Sequence, residues 1–373
     1  MTRRRHLNIL VTADAVGGVW SYAASVAAGL AERGHSVTLA TLGPPPRPWQ
    51  CEALRGRPGV RLVVTDFALE WMDPAGVDFA RARAGLARLE AQVRPDIVHL
   101  NSYREAAAEW RAPVLVVAHS CVWTWWRACR GGEPDEDRWR TYRANVRRGL
   151  CAADLWAAPS ACFRDSMAAT YRPATAGLVV HNGVAPVRAR RPKEPFILAA
   201  GRLWDEAKNA QALASVAASL PWPVVLAGAK DGRIAPSANL RLTEELPHET
   251  LMDLMARAEI FVAPALYEPF GLAVLEAAAA GSALVLSDIP VLRELWAGAA
   301  VFVDGRDSAG LRDALIALCA DDRRRNDLRA RARRRAARYT LAAMVDGYCA
   351  AYGALADAAR SAPRASARTG APA

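Results

Sequence analysis

The stretch Ala265-Leu-Tyr-Glu-Pro-Phe-Gly-Leu-Ala-Val-Leu-Glu276 constrains this chain more than any other. The apolar run Ile260 to Ala263 before it reads as a buried strand, and the Ala-rich segment Leu272 to Ala280 reads as a helix. A strand feeding a helix through a short turn is the repeating unit of parallel sheets covered by helices. Pro269 suits the start of that helix, where a missing N–H costs nothing. Gly271 lets a ligand come close to the backbone. The free N–H groups of Phe270, Gly271, Leu272 and Ala273, with the helix dipole behind them, favour a phosphate. Glu268 on the turn and Glu276 inside the helix flank that position. Carboxylates repel phosphate, but they accept hydrogen bonds from hydroxyls attached to it. A nucleotide-sugar has that make-up, with a sugar at one end of a diphosphate and a ribose at the other.

A second constellation lies upstream. The strand Phe196 to Ala200 runs into Gly201-Arg-Leu-Trp-Asp-Glu-Ala-Lys-Asn209, and a helix follows from Ala210. Arg202 can grip a phosphate with two parallel hydrogen bonds and Lys208 adds a point charge. Both fall at the carboxyl edge of a sheet, the edge that also carries Glu268.

The first half repeats the strand–loop–helix pattern. Leu7 to Val11 is a β-branched strand, Gly17-Gly18-Val19 a loop, Ser21 to Arg33 an amphipathic helix and Ser36 to Thr41 a second strand. The loop lacks the Gly-x-Gly-x-x-Gly of dinucleotide-binding enzymes. A helix is expected over Ala75 to Val93. The strand Pro113 to Ala118 ends at His119, at the edge where ligands sit in open α/β sheets. His99 lies within its own strand and reads as packed.

Glu268 and Glu276 around Pro-Phe-Gly-Leu, with Gly-Arg-Leu…Lys-Asn before them, resemble the motifs of the retaining glycosyltransferases of family 4. The resemblance is strong over Gly201–Asn209 and Tyr267–Glu276 and weaker over the first half. It implies the α/β GT-B fold, in which two Rossmann-like doubly wound domains face each other across a cleft. The corresponding division is an acceptor-side domain over 1–187, a linker over 188–195 and a donor-binding domain over 196–339. A helix over 340–359 would cross back to the first domain, and a disordered tail would occupy 360–373. The segment Leu178-Val-Val-His-Asn-Gly-Val184 is similar to the family's Pro-Asn-Gly-Val, with His181 in place of Pro.

The resemblance also implies roles. Gly17 and Gly18 would face the donor phosphate and the acceptor. Arg202 and Lys208 would hold the diphosphate, and Phe270, Gly271 and Leu272 would line the donor site. Glu268 would hold sugar hydroxyls and Glu276 the ribose. His119 would hold the sugar or the acceptor side rather than act as base. Charge building on the leaving phosphate would be met by Arg202, Lys208 and the helix-start amides, so no metal and no cofactor is expected. The anomeric configuration would be retained. The acceptor stays open among a glycan, a lipid-linked sugar and a small molecule.

Composition narrows the setting. At 373 residues and 52% hydrophobic the chain can fill two cores. No apolar run reaches the length of a bilayer span, and the apolar run at the start is too short for a signal-peptide core. Seven cysteines without a Cys-x-x-Cys pair fit free thiols in a reducing cytoplasm. The net charge of +10, mostly arginine, comes without a nucleic-acid module. It fits an anionic acceptor or a peripheral contact at the inner membrane face. Asp135-Glu136-Asp137 spells Asp-x-Asp but reads as a helix cap, and Trp123, Trp125 and Trp126 suit a core and a sugar face equally. The rival readings are a sugar phosphorylase on the same fold, a nicotinamide oxidoreductase, disfavoured by the missing glycine pattern, and a non-catalytic sugar-, nucleotide- or nucleic-acid-binding protein.

Overall fold

The computed structural model describes residues 5–187, 191–229 and 232–361. The first sheet contains β1 (Asn8–Asp14), β2 (Ser36–Leu42), β3 (Val60–Val63), β4 (Ile97–Leu100), β5 (Val114–Val117), β6 (Leu155–Ala158) and β7 (Leu178–Val179). The second contains β8 (Glu194–Ala200), β9 (Val224–Ala227), β10 (Leu240–Leu242), β11 (Ala258–Ala263), β12 (Ala283–Ser287) and β13 (Val301–Val303). Their orders are β3-β2-β1-β4-β5-β6-β7 and β10-β9-β8-β11-β12-β13, and every pairing is parallel.

Parallel strands need crossovers, and helices supply most of them. In the first half these are α1 (Gly18–Glu32), α2 (Pro48–Glu52), α3 (Phe79–Val93), α4 (Val122–Arg130), α5 (Glu136–Ala152) and α6 (Ala161–Tyr171). In the second they are α7 (Ala210–Val216), α8 (His248–Arg257), α9 (Leu272–Ala279) and α10 (Pro290–Trp296), while α11 (Ser308–Ala320) and α12 (Asp322–Ala336) follow the last strand. This is the doubly wound α/β architecture expected from the sequence. Strands such as Val114–Val117 are buried along their whole length, as strands covered on both faces must be.

The last helix, α13 (Leu341–Ser361), leaves the second sheet and returns to the first. Met344, Val345, Tyr348, Tyr352 and Leu355 join the core built by β1 and α1. The side chain of Val345 occupies the space beside Gly29 that a Cβ there would need. His99 is fully buried and bridges the two parts, with Nδ1 2.6 Å from the Tyr352 hydroxyl and Nε2 3.2 Å from that of Tyr22. It is the packed histidine that its mid-strand position suggested.

Several local expectations shift. The helix drawn from Ala75 begins at Phe79, because the Asp73 carboxylate accepts the Val77 and Asp78 N–H groups and holds a turn there. The span read as linker, 188–195, already contains the start of β8, since Glu194 pairs with Ala258 of β11. Residues 188–190 of that span lie outside the described residues, as does the stretch 362–373 of the expected tail, while α13 runs through Arg360 to Ser361. Among the described residues no helix is long and apolar enough to cross a membrane.

Candidate active site

Each sheet reverses its strand order at one place, between β1 and β4 in the first and between β8 and β11 in the second. Chains diverge there, and the crevice left at the carboxyl ends of the strands is where doubly wound folds bind ligands. The sequence-predicted residues gather at these two switch points, which face each other.

On the first side, Asp14 ends β1 and its Oδ1 accepts the Val16 N–H at 2.6 Å. Gly17 follows at φ 79° and caps α1, in a left-handed conformation that favours glycine. A Cβ at Gly17 would stand 2.7 Å from Arg202 Nη1, and one at Gly18 would stand 3.7 Å from Leu272 Cδ1. The glycine loop is therefore pressed against both motifs of the second half. Burial raises the Asp14 carboxyl to about 6, against the lowering influence of the Val16 N–H, Arg202 and Trp71.

His119 is half-buried just past β5. Its Nε2 lies 2.7 Å from Asn101 Oδ1. Asn101 donates from Nδ2 to the Thr12 carbonyl at 2.6 Å, which fixes its oxygen as the acceptor. His119 thus carries its proton on Nε2 and presents Nδ1 as an acceptor. Burial, with His99 nearby, lowers its pKa to about 3, so the ring is neutral near pH 7.

On the second side, Arg202 donates from Nη2 to Asp205 Oδ2 at 2.7 Å, and its Nε has no hydrogen-bond partner. Asp205 is buried, and its other oxygen accepts from Ala207 N–H and from Trp125 Nε1, each at 3.0 Å. Arg202 lowers the Asp205 carboxyl against the opposing effect of burial, which is the largest influence on it. Lys208 Nζ lies 2.5 Å from Glu268 Oε2, so the residues assigned to phosphate and to sugar hydroxyls form one ion pair. Glu276, mostly buried on α9, meets His248 Nε2 at 2.8 Å, and this hydrogen bond raises the histidine.

Two expectations about the opening motif need correction. The helix begins at Leu272, with Gly271 at φ 90° as its cap, so Pro269 precedes the first turn and Phe270 is not part of it. The amides left free by helix geometry are those of Leu272 and its successors. Pro269 instead offers its carbonyl to the Ser160 hydroxyl at 2.8 Å. The Phe270 side chain is 3% exposed and packs on His181 and Tyr339, so it serves the core.

The tryptophans also separate. Trp123 is core, stacked on Tyr142. Trp125 spans the cleft to Asp205, and Arg130 beside Trp126 makes a two-pronged bond to Glu206, both contacts at 2.9 Å. Asp135 caps α5 by accepting the Asp137 N–H, as read from the sequence. Sequence reasoning missed Asp14, Asn101, Asp205 and His248 as site residues. It also missed Tyr267, whose hydroxyl bonds Cys121 N–H and Thr124, and Glu294, which accepts the first two amides of α6. Only Asp14 and Asn101 carried a signal, each standing at the carboxyl end of a strand beside the switch.

Comparison with known proteins agrees with this geometry. The model of "Glycosyltransferase Family 4" matches residues 16–188 and that of "Glycosyl transferases group 1" matches 185–335. A glycogen synthase of Mycobacterium tuberculosis is 44% identical over 96 residues, covering 25% of this chain and 23% of its own. An O-antigen chain mannosyltransferase B of Escherichia coli is 29% identical over 146 residues, 39% of this chain and 33% of its own. A D-inositol 3-phosphate glycosyltransferase of Xylanimonas cellulosilytica is 34% identical over 181 residues, 42% of each chain. The chain thus matches well under half the length of these relatives. Among solved structures, a sucrose-phosphate synthase of Thermosynechococcus elongatus superposes with TM-score 0.77 at 18% identity, covering 95% of this chain and all of its own. Anabaena HepE in complex with UDP and glucose gives 0.75 at 15% identity, covering 93% of this chain and 100% of its own. Two facing doubly wound sheets, their joined switch points and the two family matches lead to one conclusion: the chain belongs to glycosyltransferase family 4, of GT-B fold.

Proposed function

We propose that the chain transfers a sugar from a nucleoside-diphosphate sugar to a hydroxyl of an acceptor, retaining the anomeric configuration and needing no metal. The observation that carries this is the meeting of Arg202 and the start of α9 with the Gly17-Gly18 loop of the other half, with the Lys208–Glu268 pair beside the first two.

The diphosphate lies over the first turn of α9, where backbone N–H groups and the helix dipole attract negative charge. Arg202, oriented by Asp205, and Lys208 meet the charge that grows on the leaving phosphate as the anomeric C–O bond breaks. They do what a divalent cation does elsewhere. Lys208 turns from Glu268 to phosphate, and Glu268, released, accepts a hydroxyl of the donor sugar. Glu276 holds the ribose beside His248. His119, neutral, accepts a sugar hydroxyl at Nδ1. Asp14 sits on the acceptor side and orients the attacking hydroxyl. The hydroxyl attacks from the face that the nucleotide leaves, and its proton passes to the departing phosphate. HepE, whose structure holds UDP and glucose, supports a nucleotide-sugar in a cleft of this fold.

The test is turnover of UDP-, GDP- and ADP-sugars, followed by release of nucleoside diphosphate with and without chelator. The anomeric proton coupling of the transferred sugar reads the stereochemistry. Chelator-insensitive release with retained configuration is expected. Inversion, or activity abolished by chelator, contradicts the mechanism. The phosphorylase rival predicts release of sugar phosphate instead.

A further inference from the structure

A second concave surface lies outside the cleft. A groove of about 900 Å³ runs between α4, α5 and α6 on the flank of the first sheet. Six of its lining side chains are arginines, Arg127, Arg140, Arg143, Arg147, Arg148 and Arg172, against one acid, Glu136. Some of that charge is answered locally: Arg127 pairs with Glu133, Arg140 with Asp137 and Arg143 with Glu136. Arg147 and Arg172 are exposed and form no ion pair among the described residues. Like charges crowded without partners repel, and an anion between them relieves that repulsion.

The floor is aromatic. Trp123 lines the groove, fully buried, with Arg143 5.1 Å above its ring and Tyr142 stacked at 6.4 Å. Its Nε1 is a buried donor without a partner, and buried donors are rarely left so. With the indole closed off between Arg143 and Tyr142, the guanidinium walls above it suit a ligand that meets them through anionic groups.

The spacing narrows the ligand. Arg140, Arg143 and Arg147 stand three and four residues apart on α5, so they form one row with a step of about 5 Å. The phosphates of a diphosphate are closer together than that. The step is comparable to one sugar ring along an oligosaccharide. α4 forms the wall between this groove and the cleft: Trp123 and Arg127 face the groove, while Trp125 and Arg130 reach Asp205 and Glu206.

We propose that this groove binds an acidic oligosaccharide, one anionic group per sugar or nearly so, along the row on α5. Its assignment as the already built part of the acceptor rests on the transferase reading above. The cleft would then add a sugar to a chain whose older residues are held on the far side of α4.

Calorimetric titration of the full chain tests this, using a sulfated uronate hexasaccharide, a neutral glucose hexasaccharide and anionic phospholipid vesicles as probes. The acidic hexasaccharide is expected to bind, more weakly as salt rises, and the neutral one not to bind. Arg143→Ala with Arg147→Ala should weaken the acidic probe about tenfold or more, and so should the charge reversal Arg147→Glu with Arg172→Glu. Binding of a nucleoside diphosphate at the cleft should stay within about twofold in both variants, which shows that they are folded. Unchanged affinity for the acidic probe in folded variants overturns the proposal, as does equal binding of the neutral one. Vesicle binding abolished by the same substitutions, without oligosaccharide binding, overturns it in favour of a membrane surface. A chain that binds the acidic probe through these arginines but binds no nucleotide keeps the groove and removes the transferase reading.

Discussion

Arg202 Nη1 stands 2.7 Å from the point a Cβ on Gly17 would occupy, although the two residues belong to different sheets. The Arg202 guanidinium of one half and the glycine loop of the other are thus fitted to each other. Gly17→Ala meets two penalties, a left-handed φ of 79° and this contact. We expect a stability loss of about 1 kcal/mol and a fall in kcat/KM of about a hundredfold through displacement of Arg202. Gly18→Ala, with 3.7 Å to its nearest neighbour, should cost far less. Steady-state kinetics beside thermal unfolding of the pair checks this.

Asp14 gives the account a pH signature. Its carboxyl, raised by burial to about 6 from 3.8, is protonated in mild acid and ionised at neutral pH. If the carboxylate orients the attacking hydroxyl, activity rises through about pH 6, and Asp14→Asn lowers kcat and removes that limb. The sign for stability is opposite. A carboxyl raised in the folded state favours folding while protonated, so its contribution falls as pH rises from about 4 to about 6. Asp14→Asn should flatten that slope and leave the protein no less stable at pH 7. A variant that loses stability at pH 7 and keeps the acid limb contradicts the role.

Glu276 and His248 test the ribose assignment. Glu276→Ala should weaken a nucleoside diphosphate about tenfold. The same substitution should leave a nucleotide lacking both ribose hydroxyls unaffected. Equal losses for the two probes would mean that Glu276 supports α9 and does not touch the ribose.

Trp125 tests the path from the first half to Arg202. Trp125→Phe removes the Nε1 donor to Asp205 and keeps most of the ring. Asp205 would then hold Arg202 less firmly, and kcat/KM should fall about tenfold for a loss of about 1.4 kcal/mol. Asp205→Asn should mimic it, and the double variant should add little beyond either one.

Much of this site was legible in the sequence, for reasons that can be named. Arg202, Lys208 and Glu268 follow strands within short segments, so local pattern alone puts them on the carboxyl edge, and Glu276 lies within the helix that comes next. The neutral role of His119 was not legible, because it depends on Asn101 and Thr12, which are brought alongside by parallel pairing. The fate of Phe270 was hidden for the same reason: His181 and Tyr339, which bury it, are distant in sequence. Trp125, Tyr267 and Glu294 join the two halves through one or two hydrogen bonds each, which leave no periodicity. Pro269 was misplaced because a proline two residues ahead of a glycine fits both a helix start and the turn ahead of one, and the φ of Gly271 decides between them.

The most direct measurement is calorimetric titration of UDP, GDP and ADP, each with and without chelator, into the chain and into Arg202→Ala. Tight binding of one nucleotide, indifference to chelator and a loss of about a hundredfold in the variant are expected. Binding that needs a divalent cation, or that survives Arg202→Ala unchanged, would contradict the assignment of the diphosphate to Arg202, Lys208 and the start of α9.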